Sequence, residues 1–323
     1  AVGAGLKQYA GPLAQVFSLK YSRTQEEEAD DFGIRYLSKA GYDPSALASM
    51  LYSLALQTSV DTQVAGLADN RVPEWASTHP DPARRVSRAA SRAKSYPAST
   101  LRNADAHLAV IDGMLYGDDP AQGVVEGQNF LHPILKMQFA APYGFGMQNS
   151  SDSVAINGNS GKAIFTGGAF DGNRSSYIAK ALKAVSGDNA TIPAGEIRRT
   201  TVNDIPAFYS NSVVDTQQGQ RVVTVFAYEW APDMAYHFVT ITAGNANPFD
   251  RMFASMSRLT AAQASAVKPR KLRIITAGSQ DNVASLAARM AYPSLQTERF
   301  RALNGLSSNA TIRAGQKLKI VTY

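Results

Sequence analysis

The sequence predicts an α+β protein built from three parts. Through about the first 120 residues, apolar side chains recur at helical spacing. Residues 124–266 instead contain short extended segments, and residues 267–323 follow the order strand, helix, helix, strand. We therefore predict a helical domain over 1–123, a mixed α+β domain over 124–266 and a small βααβ module over 267–323. A chain of 323 residues is long enough for two or three domains.

The overall composition excludes several classes of protein. No cysteine occurs, which rules out disulfide bonds and thiolate metal sites and fits a periplasmic location. No run of about 18 uninterrupted apolar residues occurs, so no membrane-spanning helix is predicted. The first residues lack an initiator Met and the charged start of a signal peptide. We therefore expect the sequence to come from the interior of a longer chain.

Positive charge is concentrated in the last part of the chain. Residues 268–323 contain ten lysines and arginines against two acidic residues, Asp281 and Glu298, whereas the whole chain carries only +6. Such a module either has a solvated basic surface or binds an anionic partner, such as a cell-wall polymer or a membrane surface. We expect no nucleic-acid partner, and peripheral membrane association is compatible with this charge.

One well-marked helix is predicted between Tyr21 and Gly41. Ser22 occupies an N-cap position with Gln25 three residues later, and Gly41 stands where a left-handed C-terminal glycine belongs. At about 100° per residue the predicted apolar face contains the following side chains: Ala29, Phe32, Gly33, Tyr36, Leu37 and Ala40.

Two carboxylates lie on or beside that apolar face. Glu26 falls on it, and Asp30 lies at its edge one turn later. A carboxylate directed at a core is costly unless it is paired or bound to a metal. Glu26 therefore needs either an arginine or a helix N-terminus in an ordinary amphipathic helix, or a metal ion.

The residues around Glu26 also carry a family resemblance. The pattern Ser-Arg-x-x-Glu-x-x-Ala-Asp over 22–30, followed by Ala-Gly-Tyr-Asp-Pro over 40–44, resembles the third-ligand helix of the HtpX-like and BepA-like zinc metallopeptidases, whose clan includes the CAAX prenyl proteases. The resemblance implies that Glu26 is a zinc ligand and that Asp30 orients a ligating histidine, since such histidines usually donate their other N–H to a carboxylate. Residues 1–123 would then be the helical C-terminal part of a zinc metallopeptidase domain.

The other half of that zinc site is absent from the sequence. The family places H-E-x-x-H on an earlier helix, but this chain has only four histidines and no two of them stand four residues apart: His79, His107, His132 and His237. We expect the general base and two histidine ligands to lie upstream of Ala1. Zinc is then expected in the full-length protein and not in this chain, which would be inactive as given.

A second family motif lies further along the helical part. Thr78-His79-Pro80 with Arg85 downstream resembles the Thr-His-Pro motif near the active-site cleft of this family, in which the histidine can approach the metal as a regulatory ligand. The alternative is that His79 only caps or packs at the start of a helix. The basic residues that follow predict a solvated helix face: Arg84, Arg88, Arg92 and Lys94.

The middle domain has a pattern of strands but no motif that indicates its function. The predicted strands are 136–140, 154–157, 162–166, 196–202, 207–214, 221–230 and 236–243, with helices near 174–185 and 248–259. The segment 222–228 is apolar on both faces, which predicts a central strand. His132 and His237 are predicted to be structural.

The end of the chain is similar to LysM modules, which bind N-acetylglucosamine chains. Leu-Asn-Gly-Leu over 303–306 and Ala-Gly-Gln-Lys-Leu-Lys-Ile over 314–320 carry the similarity. Gly278-Ser-Gln-Asp-Asn replaces the usual Gly-Asp-Thr, and Tyr292-Pro293 stretches the segment between the helices. The resemblance implies the fold more firmly than it implies peptidoglycan binding.

Together these patterns predict a periplasmic or cell-envelope zinc metalloendopeptidase with a polypeptide substrate and a role in envelope protein quality control. The alternative is a non-catalytic peptidoglycan-binding protein that keeps a degenerate peptidase helix as scaffold. An H-E-x-x-H motif in the gene before Ala1 would favour the peptidase.

Overall fold

A computed structural model describes residues 23–64, 82–186, 191–216, 219–243 and 247–323. The predicted α+β class is confirmed, because these residues form helices and antiparallel sheets in similar measure. The described residues fall into two compact units. One contains 118–268, and the other contains 23–117 together with 269–323, so the helical part and the C-terminal module share a unit. The three predicted domain boundaries stay a prediction.

The helical part contains four described helices: α1 (Arg23–Lys39), α2 (Ala46–Val64), α3 (Pro82–Ala93) and α4 (Ala104–Ile111). Gly41 has a φ of +78° directly after α1, as predicted. The Tyr42 N–H donates to the Leu37 carbonyl and the Gly41 N–H to the Ser38 carbonyl. This is a Schellman motif, in which a left-handed glycine lets the chain bond the last helical carbonyls. Ser22 lies outside the described residues.

The buried face of α1 differs from the predicted one. Phe32 and Tyr36 are 40% and 59% exposed, and their rings stack against each other at the surface. The buried residues are instead Glu26, Asp30 and Ile34, each four positions after the last. The prediction was wrong because α3 packs on the acidic side of α1 and supplies arginines that make burial of carboxylates possible.

The other unit is built on two antiparallel sheets. Its strands are β1 (Val124–Glu126), β2 (Asn129–His132), β3 (Met137–Ala140), β4 (Gly146–Asn149), β5 (Ser153–Gly158), β6 (Gly161–Ala169), β7 (Ile197–Val202), β8 (Ile205–Thr216), β9 (Gly219–Ala231), β10 (Met234–Ala243) and β11 (Ser257–Arg258). One sheet has seven strands in the order β4-β5-β6-β10-β9-β8-β7, and the other has four in the order β1-β2-β3-β11. All seven predicted strands occur, and β9 is interior as predicted.

Apolar side chains alternate between two cores in this unit. One core joins aromatic residues of both sheets, including Phe139, Phe165 and Phe238. The other lies beneath α5 (Arg174–Ser186), which buries Ile178 and Leu182. The helix predicted over 248–259 is shorter: α6 (Asp250–Ser255) ends where β11 pairs with β3, and α7 (Ala261–Ala266) follows.

The C-terminal module has the predicted βααβ order: β12 (Lys271–Thr276), α8 (Val283–Ala287), α9 (Gln296–Asn304) and β13 (Lys317–Thr322). Leu286 and Phe300 fill its core. Apolar spacing predicts one helix over residues 103–115, but this helix is too long, because the chain after Ile111 pairs with β12 instead. Leu272 accepts from the Gly113 N–H and donates to the Met114 carbonyl, at 2.8 and 2.9 Å.

The module also packs against the helical part through its second helix. α9 lies against α2, and the turn after α9 places Gly305 close to the Ser53 hydroxyl. The C-terminal module therefore packs against the rest of its unit and is not attached to it by a flexible linker alone. Among the helices of the described ranges, none has both the length and the apolar character that a bilayer crossing needs.

Candidate functional site

Two acidic residues of α1 and one arginine of α3 form a buried ionic cluster. The Arg85 guanidinium contacts Glu26 Oε2 through Nη1 at 2.6 Å. It also binds Asp30 with both arms of its fork, Nε to Oδ2 at 2.9 Å and Nη2 to Oδ1 at 2.7 Å. If the chain folds as given, Glu26 is expected either to line an open groove or to pair with a nearby cation such as Arg85, and the structure has the ion pair. Helical spacing makes this possible, since residues four apart lie on one edge of α1.

Burial gives this Glu26–Asp30–Arg85 cluster a large influence on local stability. The side chains of Asp30, Glu26 and Arg85 are 4%, 9% and 14% exposed. The hydrogen bond from Arg85 to Asp30 raises the Arg85 pKa above its usual value, with partial burial opposing that rise. A buried bidentate pair is strong only while both partners are present, because each charge has been taken out of water.

A second and more exposed set of ion pairs runs beside the first. Arg88 donates to Asp31 Oδ2 at 2.9 Å and lies 3.5 Å from Glu27, while Arg92 Nε lies 3.5 Å from Asp31. The predicted solvated face of α3 is therefore wrong for Arg88, which is partly covered by α1, whereas Arg92 is about half exposed, as predicted. The spacing in the sequence indicates a row of charged residues on each of the two helices. It does not indicate that α1 and α3 pack against each other.

A pocket of about 470 Å³ lies in the C-terminal module. Its walls come from the start of α8, one side of α9 and the loop before β13: Asp281, Asn282, Val283, Ala284, Thr297, Arg301, Ala310, Thr311 and Ile312. Asn282 and Ser285 form a reciprocal capping box that fixes the start of α8. The pocket combines apolar, hydroxyl and charged groups, as ligand sites usually do.

Comparison with known proteins matches two segments of the chain, one that contains the cluster and one that contains most of the pocket. Residues 3–93 match Peptidase family M48, and residues 276–321 match the LysM domain. This match confirms the predicted resemblance to the HtpX-like and BepA-like metallopeptidases, which belong to that family. The M48 segment contains Glu26, Asp30, His79 and Arg85, and the LysM segment contains nearly all of the module with the pocket.

Relatives of the M48 segment carry related names. The chain is 32% identical over 151 residues to the beta-barrel assembly-enhancing protease of Yersinia pestis, covering 45% of this chain and 29% of the relative. It is 35% identical over 92 residues to a putative beta-barrel assembly-enhancing protease of Vibrio cholerae serotype O1, covering 28% and 17%. The chain therefore spans less than a third of either relative.

A solved structure from Bacteroides thetaiotaomicron is 9% identical and covers 62% of this chain and 87% of its own, with a TM-score of 0.33. A TM-score at that level supports no argument about fold or function.

The M48 family implies a metal, and the described residues do not complete a site for one. A catalytic zinc needs three protein ligands. In the described ranges no three His, Asp or Glu side chains come together in a group that could hold a metal ion. Glu26 offers one carboxylate, but the Arg85 guanidinium already contacts it at 2.6 Å. In the described residues the cluster therefore fits an ion-paired scaffold.

The other predicted site residues differ in whether the structure describes them. His79 lies outside the described residues, so its role stays a prediction. Asp30 and Arg85 form a direct ion pair. For the full-length protein we still predict that Glu26 is a metal ligand and that Asp30 orients a histidine. Sequence reasoning missed Arg301, which lines the pocket, although its position four residues after Thr297 on α9 was a usable signal.

Proposed function

We propose that the chain is part of a zinc-dependent metalloendopeptidase of the bacterial periplasm, acting on polypeptides in protein quality control of the cell envelope. The M48 match and the names of the two relatives support a protease. In this proposal Glu26 is the third metal ligand, Asp30 orients a histidine ligand, and His79 is a regulatory ligand near the metal. The two histidines and the general base come from an H-E-x-x-H motif outside these 323 residues.

The observation that carries the proposal is the placement of Glu26 and Asp30. They are buried carboxylates on one edge of α1, inside the segment that matches the peptidase family. Ordinary helices rarely bury two acids one turn apart, because each costs several kcal/mol of desolvation unless compensated. In this chain Arg85 supplies that compensation.

The isolated chain is expected to hold no zinc and to cleave no protein. It contains no H-E-x-x-H motif, and Glu26 alone cannot retain a metal ion. Metal analysis by mass spectrometry on the purified chain should find far less than one zinc per chain, and digestion of unfolded casein should not exceed that of a buffer blank.

Two comparisons make this measurement decisive. The Glu26→Gln variant should match the parent in zinc content. About one zinc per parent chain would overturn the expected inactivity, and retention of that zinc by Glu26→Gln would also remove Glu26 from the ligand set.

A second candidate function is non-catalytic attachment to peptidoglycan. The LysM match and the pocket of about 470 Å³ favour it. The basic surplus of residues 268–323 favours it too, because the cell-wall polymer is anionic. Attachment is compatible with the first proposal, since a protease of the envelope can also be anchored to its wall.

Purified peptidoglycan is expected to pull down the full chain at low salt, with less recovered as salt is raised. Thr297→Trp should reduce recovery, because a bulky ring on α9 would fill the pocket. Thr322→Trp in β13, away from the pocket lining, is the matched control. Failure of the parent to sediment with peptidoglycan would remove this function.

A further inference from the structure

We propose that the outer edge of β7 binds an extended acidic polypeptide segment, which adds to the seven-stranded sheet as one more strand. β7 is an edge strand, because β8 lies on one side of it and no described strand pairs with the other side. It is also the longest edge strand of its unit, with six residues against four in β4, three in β1 and two in β11. Neither a metal nor a glycan is needed for this binding.

The turn between β7 and β8 determines which backbone groups face outward. Asn203 and Asp204 both have a positive φ, of +46° and +63°, as in the type I′ turn of a two-residue hairpin. The residues that flank such a turn exchange backbone hydrogen bonds, and hydrogen-bonded pairs then alternate with open pairs along the strands. Every second residue of β7 therefore turns its N–H and C=O away from β8: Ile197, Arg199 and Thr201. Pro206, opposite Thr201, has no N–H, which agrees with this alternation.

The outer edge of β7 is uncovered and already in strand conformation. Its four central residues, 198–201, are exposed on both faces of the sheet. The strand contains no proline or lysine and pairs with β8 without a bulge, so it lacks common features that block an edge. The Ser210 and Ser212 hydroxyls of β8 donate to the Gly195 and Pro193 carbonyls at 3.1 and 2.6 Å, which fixes the chain entering β7. An added strand thus meets an ordered edge about 20 Å long.

Arg199 gives this edge a preference for acidic segments. Its side chain is exposed, and within the described ranges its guanidinium has no hydrogen bond or ion pair. Arg198 differs, because its Nε and Nη2 donate to Glu196 Oε2 at 2.9 and 2.8 Å. A carboxylate opposite Arg199 in an added strand would form a cross-strand ion pair, whereas a lysine there would be repelled.

The position of Arg199 also indicates the spacing of the acidic side chains. Arg199 pairs with Phe208, which belongs to the core beneath α5, so both side chains lie on the α5 side of the sheet. In an added strand only every second side chain lies on that side. The expected segment therefore has acidic residues at alternate positions.

The same arginine disfavours a second copy of this chain as the occupant. Two β7 strands that pair antiparallel through their outward backbone groups place Arg199 opposite its own counterpart or diagonal to it. Like charges at those positions are destabilising. The expected partner is a different polypeptide.

Fluorescence anisotropy with the full chain tests the proposal. The probe is a labelled, capped peptide of about eight residues in which Glu alternates with Thr, long enough to cover β7. We expect saturable binding that is about fivefold or more tighter than that of the same peptide with Lys in place of Glu. N-methylation of the Glu residues should abolish binding, because their N–H groups face β7, whereas N-methylation of the Thr residues should not.

Two pairs of variants assign the binding to this edge, with circular dichroism to confirm the fold. Arg199→Glu should make the Lys peptide bind more tightly than the Glu peptide, whereas Lys180→Glu, the same charge change at an exposed residue of α5, should keep the parent's preference. Thr201→Pro removes an outward N–H without a hydrogen bond to β8 and should weaken both peptides about fivefold. Thr201→Val keeps that N–H and should bind like the parent.

Four results would overturn the proposal. The first is absence of saturable binding of the Glu peptide, and the second is a preference for Glu that Arg199→Glu leaves unchanged or Lys180→Glu removes equally. The third is binding that Thr201→Pro does not weaken. The fourth is a parent chain that sediments as a dimer and becomes monomeric in Thr201→Pro, since the occupant of the edge would then be a second copy.

Discussion

Replacement of Arg85 by methionine is expected to destabilise the helical part by about 3–5 kcal/mol, the usual cost of breaking a buried ion pair from one side. Asp30 is the reason, because its side chain is 4% exposed and both of its oxygens accept from the Arg85 guanidinium. Methionine keeps much of the volume but supplies no donor. Asp30 must then stay charged without a partner, take up a proton, or pull water into the space between α1 and α3.

Urea unfolding followed by far-ultraviolet circular dichroism measures this loss. Combining Arg85→Met with Asp30→Asn and Glu26→Gln should recover a large part of it, since removing all three charges leaves no uncompensated ion. Arg92→Ala is the matched control, because Arg92 is about half exposed and its ion pair should contribute less than about 1 kcal/mol. A loss below 1 kcal/mol in Arg85→Met would show that Asp30 does not depend on the guanidinium.

The C-terminal end of α1 could be predicted from sequence, but the direction of its buried face could not. A Schellman turn depends on Gly41 and the two residues around it, so the signal is local. The buried face depends on α3, which lies more than 40 residues away in sequence. Without that helix, Phe32 and Tyr36 are the obvious core residues and Asp30 is a poor one. The arginines of α3 reverse this preference.

In the C-terminal module, too, the sequence predicts the local elements but not a pairing between distant residues. The order of β12, α8, α9 and β13 was predictable because each element has its own spacing or capping signal. The pairing of residues 113–116 with β12 was not, because that stretch continues the apolar spacing of α4 and reads as more helix. A strand added from more than 150 residues away leaves no mark on local periodicity.

In the unit that contains residues 118–268, the sequence revealed seven of the eleven described strands but not their neighbours. β6 pairs with β10, and 64 residues separate the end of one from the start of the other. Strands can pair when their apolar faces have matching lengths. Several strand orders satisfy that condition, so the sequence does not select one of them. His237 illustrates the limit: its strand was predictable, whereas its contact with Tyr177 on α5 required the packing of that helix.

His237 is expected to make the fold sensitive to acid. It is almost fully buried in β10, with its Nδ1 2.9 Å from the Tyr177 hydroxyl. That hydroxyl donates to the Ala235 carbonyl at 2.7 Å and so accepts from Nδ1, which makes the neutral ring the Nδ1–H tautomer. Burial lowers the His237 pKa from 6.5 to about 4, because the charged ring would lose its hydration.

The sign of the pH dependence follows from that lowered pKa. Above pH 6.5 the ring is neutral in both folded and unfolded chains, so the full stability is present. Between pH 6.5 and 4 the unfolded chain binds a proton that the folded chain refuses, and stability falls. With 1.36 kcal/mol per pKa unit, the loss is about 2 kcal/mol at pH 5 and about 3 kcal/mol at pH 4.

Urea unfolding followed by near-ultraviolet circular dichroism, at pH 7, 5 and 4, measures this loss because the signal comes largely from the aromatic core of the middle unit. His237→Gln retains a donor for Tyr177 without a titrating ring, so its stability should fall by about 2–3 kcal/mol less than the parent's over this range.

His132→Gln is the comparison, since burial also lowers the pKa of half-buried His132. Partial solvation of its imidazolium should make the effect of that variant smaller. Parallel pH profiles for the parent and His237→Gln would show that His237 is not the residue that titrates, and the acid sensitivity of the middle unit would then have to come from its carboxylates.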